Sequence, residues 1–521
     1  MKYRLRLFFL FSIICIFTLT NYLPISQAAK TNITTIEIYH MSDYHSHSLP
    51  SYAEGDYSRG GIARVIGLLR EAKKRSSNVL VLSGGDTINL NNPIWSDAYT
   101  CTEWSWFNGI LDGMALGNHE FDYGATVFND CVNRATYPVI SSGLVFKDSG
   151  KSFLPEYQIY ERAGVKIGVF AVAGNDFPSL VKTDLLPPNT HWITGDEKLK
   201  RVEEIVKTLR EKEKVDIVIA AGHQYLAEDF AMARAVKGIN LILGTHGHLK
   251  AEMTKIEGTE TYFISPYQYL NYLSHVTLQV SKSKVLKAKG ELITITKGLP
   301  EDTFLSQKVE TMYESLKLKY PERFEVLGEA KTLIDNTGID KEEAIIGNFV
   351  TDLARNATKA HAFFHTSSSF RAAIAPGQIN KETFLTALPY NNILVTTTMT
   401  GEQLLDLLAF SVKQRGSDTF CQVSGLRYTI NTKDKTISDV QVIIDPSNPQ
   451  SSYQAIDPKG KYLVATANYL AYVASGYKER FAATKDLTKT DIELNKLVIN
   501  YIRQNSPISV NLDGRVKINT N

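Results

Sequence analysis

Side chains that can bind metal ions recur at five widely separated points between residues 43 and 248. The segments are Asp43-Tyr44-His45, Gly84-Gly85-Asp86-Thr87, Gly117-Asn118-His119-Glu120-Phe121-Asp122, Gly222-His223 and Gly244-Thr245-His246-Gly247-His248. Carboxylate, imidazole and amide ligands together suit a borderline metal such as zinc, manganese or iron, and cysteine is absent from the set. The pattern indicates a two-metal centre built from distant parts of the chain.

Short apolar runs typical of β-strands must position these side chains. Four of the five segments directly follow such a run, at 35–39, 78–82, 215–220 and 239–243. Helical patterns at 61–74 and 196–212 alternate with the strands, which favours an α/β fold. Because the loops after the strands of an open sheet gather along one edge, residues far apart in sequence can converge there.

A single histidine or aspartate after a strand is more often a turn or capping residue than a metal ligand. Independent turn residues, however, have no reason to supply this ordered series of ligand types. The remaining histidines fall outside the series and keep an ordinary structural interpretation: His40, His47, His191, His275, His361 and His365.

The order of the five segments resembles that of the calcineurin-like metallophosphoesterases. The stretch Gly-Asn-His-Glu-Phe-Asp-Tyr-Gly at 117–124 is similar to the 5'-nucleotidase family within them, as are the segments 60–64 and 164–168. The resemblance implies a four-layer α/β-β-α metallophosphoesterase domain followed by a smaller α/β substrate-binding domain. It also implies two divalent metal ions, whose identity as zinc, manganese or iron the ligand types leave open.

Roles for the metal-site residues follow from this resemblance. One ion would be held by Asp43, His45 and His248, the other by Asn118, His223 and His246, and Asp86 would bridge the two. His119 would not be a ligand. It would lie beside the substrate phosphate and be oriented by Asp122, as a catalytic pair.

The C-terminal part is similar to the 5'-nucleotidase C-terminal domain, in segments such as 347–352, 388–392 and 400–404. The resemblance implies that Arg371 contacts the substrate and that Phe420 and Tyr477 sandwich the base. The chain departs from the family where Asn-Gly-Gly-Gly-Ile-Arg is usual, because it has Thr366-Ser367-Ser368-Ser369-Phe370-Arg371. Since glycine allows positive φ and close approach to a ligand, the serines predict a reshaped loop.

Length and composition predict a secreted or periplasmic protein of more than one domain. The chain has 521 residues, and the basic, apolar and small-residue regions of 1–28 are typical of a cleaved signal peptide. The predicted divisions are a catalytic domain at 29–300, a connecting helix at 301–325 and a substrate-binding domain at 326–521. No membrane anchor is expected in the mature form, and the oligomeric state stays open.

Charge and cysteine content add two expectations. Three of the 57 lysine and arginine residues lie in 1–28, which leaves 54 basic against 55 acidic residues in the rest of the chain. This nearly neutral balance does not favour nucleic acid polymers as partners, and a small nucleotide is the expected substrate. Cys101 and Cys131 could pair in an oxidising compartment, with Cys421 as the odd thiol.

The sequence leaves three functions open. The first is a 5'-nucleotidase that releases phosphate from nucleoside 5'-monophosphates. The second keeps the metal chemistry but acts as a nucleotide-sugar or dinucleotide pyrophosphatase or as a cyclic-nucleotide phosphodiesterase, which the serine loop would permit. The third is a non-catalytic secreted binding protein, and the complete ligand series argues against it.

Overall fold

A computed structural model describes residues 33–90 and 93–520, so the predicted signal peptide lies outside the described residues. Elements of the first half are β-strands and α-helices in alternation. The strands are β1 (Thr34–Met41), β2 (Ser51–Ala53), β3 (Asp56–Arg59), β4 (Val79–Ser83), β5 (Gly113–Ala115), β6 (Val139–Ile140), β7 (Leu144–Phe146), β8 (Tyr157–Arg162), β9 (Val165–Phe170), β10 (Thr190–Trp192), β11 (Ile217–Ala220), β12 (Leu241–Leu243), β13 (Lys250–Lys255), β14 (Tyr262–Pro266), β15 (Tyr272–Ser281) and β16 (Lys284–Thr294). The helices are α1 (Ile62–Arg75), α2 (Ile94–Trp106), α3 (Gly124–Arg134), α4 (Phe177–Leu180), α5 (Gly195–Lys207), α6 (Leu226–Ala235) and α7 (Thr303–Lys319).

Two six-stranded sheets form the centre of this first half. Their strand orders are β16-β15-β1-β4-β5-β6 and β13-β14-β12-β11-β9-β8. Alternation along β1 shows how they pack, because Ile36 and Ile38 enter the apolar layer between the sheets while Tyr39 and Met41 face helices α1 and α2. Helices α5 and α6 cover the outer face of the second sheet. The four-layer α/β-β-α arrangement predicted from the sequence is confirmed.

The second half is a smaller α/β unit. Its strands are β17 (Val326–Ala330), β18 (Ala362–Thr366), β19 (Gly377–Asn380), β20 (Ile393–Thr400), β21 (Cys421–Ser424), β22 (Leu426–Asn431), β23 (Thr436–Ile443), β24 (Tyr453–Ala455), β25 (Lys461–Ala467), β26 (Thr488–Glu493) and β27 (Val516–Asn519). Its helices are α8 (Ile345–Thr358), α9 (Lys381–Ala387), α10 (Gly401–Lys413), α11 (Asn468–Tyr472), α12 (Tyr477–Ala482) and α13 (Leu494–Asn505).

A five-stranded sheet of order β21-β18-β25-β20-β26 organises this unit. Helices α8 and α13 pack on one face, and α10, α11 and α12 pack on the other. Helix α7 connects the two halves and begins at the Asp302 N-cap, whose carboxylate accepts a 3.0 Å hydrogen bond from the backbone N–H of Leu305. Within the described ranges, no helix is both long and apolar enough to cross a membrane.

A disulfide joins helices α2 and α3. Cys101 and Cys131 are bonded, with their Cα atoms 4.5 Å apart, and Cys421 is a buried free thiol. The pairing that the sequence left open is therefore present, and it fixes the two helices that flank the loop carrying Asn118 and His119.

Candidate metal centre and interdomain cleft

The predicted ligands converge because every one of them lies just beyond the carboxyl end of a parallel strand. Asp43 and His45 follow β1, Asp86 follows β4, and Asn118 follows β5, which are neighbours in the first sheet. In the second sheet His223 follows β11, and the loop with His246 and His248 follows β12. The two sheets pack face to face, so their loop edges meet at one place.

Tight turns aim these side chains at that place. Asp43, His45, Asp86, His246 and His248 all have φ between 46° and 61°, a region that side-chain-bearing residues rarely occupy. Backbone hydrogen bonds between the loops after β1 and β4 stabilise these strained conformations. The N–H of Asp43 donates to the carbonyl of Gly85 at 3.1 Å, and the N–H of His45 donates to the carbonyl of Asp86 at 3.0 Å.

Glycine at 117 lets the Asp86 turn pack closely. A Cβ on Gly117 would lie 2.2 Å from Oδ1 of Asp86, so no larger residue fits there without moving that carboxylate. The glycine of the Gly-Asn-His segment is thus required by the same close approach that brings Asp86 and Asn118 together.

Two groups of ligand atoms share the space between these loops. Those of Asp43, His45 and His248 lie within 4.8 Å of one another, and so do those of Asp86, His223 and His246. Asp86 connects the groups, because its Oδ2 lies 3.0 Å from Nε2 of His223 and 3.8 Å from Nε2 of His45. A carboxylate in this position can contact an ion in either group.

Several of these atoms are buried and have no hydrogen-bond partner among the described residues. They include Oδ1 of Asp43, Oδ1 of Asn118 and Nε2 of His223. Nδ1 of His223 lies 2.7 Å from the carbonyl of Gly84, which can only accept, so the neutral ring carries its proton on Nδ1 and keeps a lone pair on Nε2. Unpartnered buried donor and acceptor atoms are costly, and this oxygen and nitrogen set is the one that binds divalent metals.

His119 differs from the other histidines in its partner. Its Nδ1 lies 2.7 Å from Oδ2 of Asp122, the residue expected to orient it. Burial by itself lowers the pKa of His119, but the carboxylates of Asp122 and Asp86 raise it to about 10. The ligand atoms of His45, Asp86 and His119 also lie within 4.8 Å of one another, so proximity alone does not separate His119 from the ligands.

Arg371 reaches this centre from the second half of the chain. Its Nη1 lies 2.7 Å from Nδ1 of His248, and its Nη2 donates to the hydroxyl of Tyr390 at 2.7 Å. The guanidinium therefore faces the metal-binding loops across the cleft between the two halves.

Comparisons with known proteins agree with this geometry over both halves. Residues 36–250 match the calcineurin-like phosphoesterases, and residues 326–483 match the 5'-nucleotidase C-terminal domain. The chain belongs to the 5'-nucleotidase family of calcineurin-like phosphoesterases. It is accordingly a hydrolase of phosphate monoesters, of a family that uses divalent metal ions.

Relatives of this family cover nearly the whole chain. It is 26% identical to a 5'-nucleotidase of Diplobatis ommata, over 97% of this chain and 92% of the relative. It is 24% identical to an apyrase of Tabanus yao, over 93% of each chain. The crystal structure of a 5'-nucleotidase precursor from Thermus thermophilus is 22% identical, covers 93% of this chain and 99% of its own, and superposes with a TM-score of 0.74, which shows a shared fold.

The two rings predicted to sandwich a base are buried in this family member. Phe420 is 1% exposed and Tyr477 is 0% exposed, and both belong to the core between the sheet and α10. The Tyr477 hydroxyl donates to the carbonyl of Thr419 at 2.7 Å, and its ring packs edge-on against Phe410. In this arrangement neither ring offers a free face to a ligand, and the base sandwich stays a prediction. Tyr225 and Tyr469 line the cleft instead.

The serine loop that stands in place of the usual glycines has no residue in the left-handed region of φ. Ser367–Ser369 form one turn of 3-10 helix, and no residue from Thr366 to Ser369 has a positive φ. The N–H of Ser367 donates to the carbonyl of Phe420 at 2.7 Å, and that of Ser368 donates to the carbonyl of Asp418 at 2.8 Å. The loop is thereby tied to residues 418–420, which border the cleft.

Four carboxylates that support the site had no role in the sequence interpretation. Glu120 accepts hydrogen bonds from the Asp86 turn, and Glu103 accepts them from Tyr44, Ser46 and Ser48 in the β1 loop. Asp176 follows β9, and its Oδ2 lies 3.0 Å from Nε2 of His246. The fourth is Asp418. Asp176 was detectable, because it follows a recognised strand in the same way as the ligands, whereas Glu103 and Asp418 stand in no local pattern.

Proposed function

We propose that the protein is a 5'-nucleotidase that hydrolyses nucleoside 5'-monophosphates to nucleoside and phosphate with two divalent metal ions. The observation that carries the proposal is the convergence of the predicted ligand series with the His119–Asp122 pair where the loop edges of the two sheets meet. The relatives named 5'-nucleotidase, which match both halves of the chain, support the substrate class.

The ligands would be divided as the family pattern implies. Asp43, His45 and His248 would hold one ion, and Asn118, His223 and His246 the other, with Asp86 shared. When bound, such an ion pair lowers the pKa of a water molecule and neutralises charge on the phosphate. The ligand types allow zinc, manganese or iron.

His119 is positioned to act on the phosphoryl group. In its protonated form it can donate a hydrogen bond to a phosphoryl or leaving-group oxygen, while Asp122 stabilises the imidazolium. Arg371 adds a fixed positive charge on the opposite side, where it can pair with the phosphate. Both residues would stabilise the negative charge that gathers on the oxygens in the transition state.

The domain and localisation assignments complete the proposal. A catalytic domain at 29–300 and a substrate-binding domain at 326–521 would be joined by the connecting segment at 301–325, which contains α7. The Cys101–Cys131 disulfide supports an oxidising compartment, in agreement with a secreted or periplasmic enzyme whose segment 1–28 is removed. Base stacking on Phe420 and Tyr477 would require residues 417–420 and 474–477 to move away from the core.

The proposal is tested by identifying and quantifying all products, inorganic phosphate included, from AMP, other nucleoside monophosphates, ATP, UDP-glucose, NAD, cyclic 2',3'-AMP and an aryl phosphate. Activity should need added manganese or zinc, disappear with a chelator and be greatest on monophosphates. His119→Ala should lower kcat by about 100- to 10,000-fold with metal content unchanged, whereas the control His191→Ala, in β10, should not.

Three results would contradict parts of this proposal. Preference for UDP-glucose, NAD or the cyclic nucleotide would assign the same chemistry to a pyrophosphatase or phosphodiesterase. Loss of metal from His119→Ala would make His119 a ligand. Absence of turnover on every substrate would favour a binding protein.

A further inference from the structure

A cavity of about 800 Å³ lies between the two halves of the chain, directly beside the metal-binding loops. Asp176, Tyr225 and Gly247 line it from the first half, and Asp418 and Tyr469 line it from the second. Gly247 stands between two predicted ligands, and the ring of Tyr225 lies 4.3 Å from that of His246. A phosphate ester bound at the ligands therefore has this cavity available for its alcohol part.

Two carboxylates in this cavity, those of Asp176 and Asp418, each have a buried oxygen without a hydrogen-bond partner among the described residues. The other oxygen of Asp176 lies 3.0 Å from Nε2 of His246, a predicted metal ligand, which leaves Asp418 as the candidate for a substrate contact. Asp418 lies between α10 and β21, and its backbone carbonyl is engaged by the N–H of Ser368. Its Oδ1, by contrast, is buried and has no hydrogen-bond partner in the described part of the chain. The positive charge of Arg371 acts on the carboxylate, although burial dominates and raises the pKa of Asp418 to about 6.

A carboxylate with a buried, unpaired oxygen is costly unless a ligand supplies the missing donor. We propose that Asp418 is a specificity-determining residue that accepts hydrogen bonds from the vicinal hydroxyls of the substrate ribose. This inference rests on the proposed nucleotidase function and adds the sugar contact to it.

The chemistry of a ribose fits this position. Its neighbouring 2'- and 3'-hydroxyls are two donors that a single carboxylate can accept, as acidic residues do in dinucleotide-binding proteins. Asp418 lines the same cavity as Gly247, which lies between the predicted ligands His246 and His248, so it stands near the site of the phosphate. The ribose is the part of a nucleotide next to the phosphate, whereas the base is more distant.

The test compares kcat/KM for AMP, 2'-deoxy-AMP, 3'-deoxy-AMP and p-nitrophenyl phosphate. The proteins are the wild type, Asp418→Asn and the control Asp491→Asn, which removes an exposed carboxylate of β26 outside the cavity. The wild type should prefer AMP to each deoxynucleotide by about tenfold or more, because a lost hydrogen bond to a charged group has that effect. Asp418→Asn should reduce both ratios to about one, while Asp491→Asn should match the wild type on all four substrates.

The outcomes separate this inference from the function on which it rests. If the wild type hydrolyses AMP but shows no preference over the deoxynucleotides, or if Asp418→Asn keeps the preference, the ribose contact alone is refuted. If Asp418→Asn changes the preference among bases and not among sugars, Asp418 contacts the base and the proposal is again wrong. If the wild type hydrolyses the aryl phosphate but no nucleotide, both the function and the ribose contact are refuted. Aryl phosphate activity in Asp418→Asn also reports that the variant is folded.

Discussion

Replacing Glu120 by glutamine should weaken metal binding although Glu120 is not a predicted ligand. Oε2 of Glu120 accepts from the N–H groups of Asp86 at 3.0 Å and Gly117 at 2.7 Å. Oε1 accepts from the N–H of Thr87 at 2.7 Å and from its hydroxyl at 2.8 Å. A glutamine has one oxygen and one NH₂ group, so it cannot accept from all of these donors.

The cost follows from the best orientation that the amide can adopt. If NH₂ faces Thr87, the hydroxyl can rotate to accept, but the Thr87 N–H loses its partner, at about 1–3 kcal/mol. The bonds from Asp86 and Gly117 become neutral rather than charge-assisted, at about 1 kcal/mol each. Burial disfavours the Glu120 charge and raises its pKa, so removing that charge offsets part of the loss. We expect a net cost of roughly 2–4 kcal/mol.

The loss of these hydrogen bonds destabilises the turn that holds Asp86 at a φ of 51°. If the turn relaxes in the absence of metal, metal affinity should fall by roughly 30- to 1,000-fold. Titration of manganese against the metal-free protein, with a competing chelator, measures this directly. Activity should recover at high metal concentration, because no ligand has been removed.

The matched control is Glu260→Gln, since Glu260 is exposed and pairs with Lys255 at the surface. It should bind metal as the wild type does. Wild-type affinity in Glu120→Gln, within about threefold, would show that the Asp86 turn does not depend on this carboxylate, and the reasoning would be wrong.

Two further predictions concern stability. Loss of the disulfide in Cys101→Ser/Cys131→Ser should lower the free energy of unfolding by about 3 kcal/mol, because the bond closes a loop of 30 residues. Chemical unfolding measures this difference. If a reductant lowered the stability of the variant as much as that of the wild type, the prediction would be wrong. Burial raises the pKa of Glu103 from its usual 4.5 to about 7, so the folded state binds a proton more tightly than the unfolded one. Its contribution to stability is therefore greatest at low pH, falls between about pH 4.5 and 7 and is constant above, by at most about 1.4 kcal/mol per pH unit. Glu103→Gln should flatten this part of the stability curve, and parallel curves for wild type and variant would rule the effect out.

Much of the catalytic half was predictable because its signals are local. Each ligand is recognisable from its type and from the apolar run before it, and a strand pattern such as 35–39 fixes both the element and the edge to which the next loop goes. The strands and helices predicted around the ligands all appear within a few residues of their expected ends, and the loops that carry the ligands meet at one sheet edge.

The substrate side was less predictable because it depends on packing between segments far apart in the chain. An aromatic residue at 420 or 477 is equally suited to a core and to a binding face. In the structure the hydrogen bond from the Tyr477 hydroxyl to the carbonyl of Thr419 holds the Tyr477 ring in the core. Likewise, nothing near Asp418 in the sequence indicates that one of its oxygens is enclosed, without a partner among the described residues, in the cleft. The sequence by itself predicted which side chains are of metal-binding types and determined the strand ends at which they lie, because those properties belong to single segments. Only the tertiary structure decided which rings are covered and which carboxylates support the site, because burial and hydrogen bonding are properties of segments brought together.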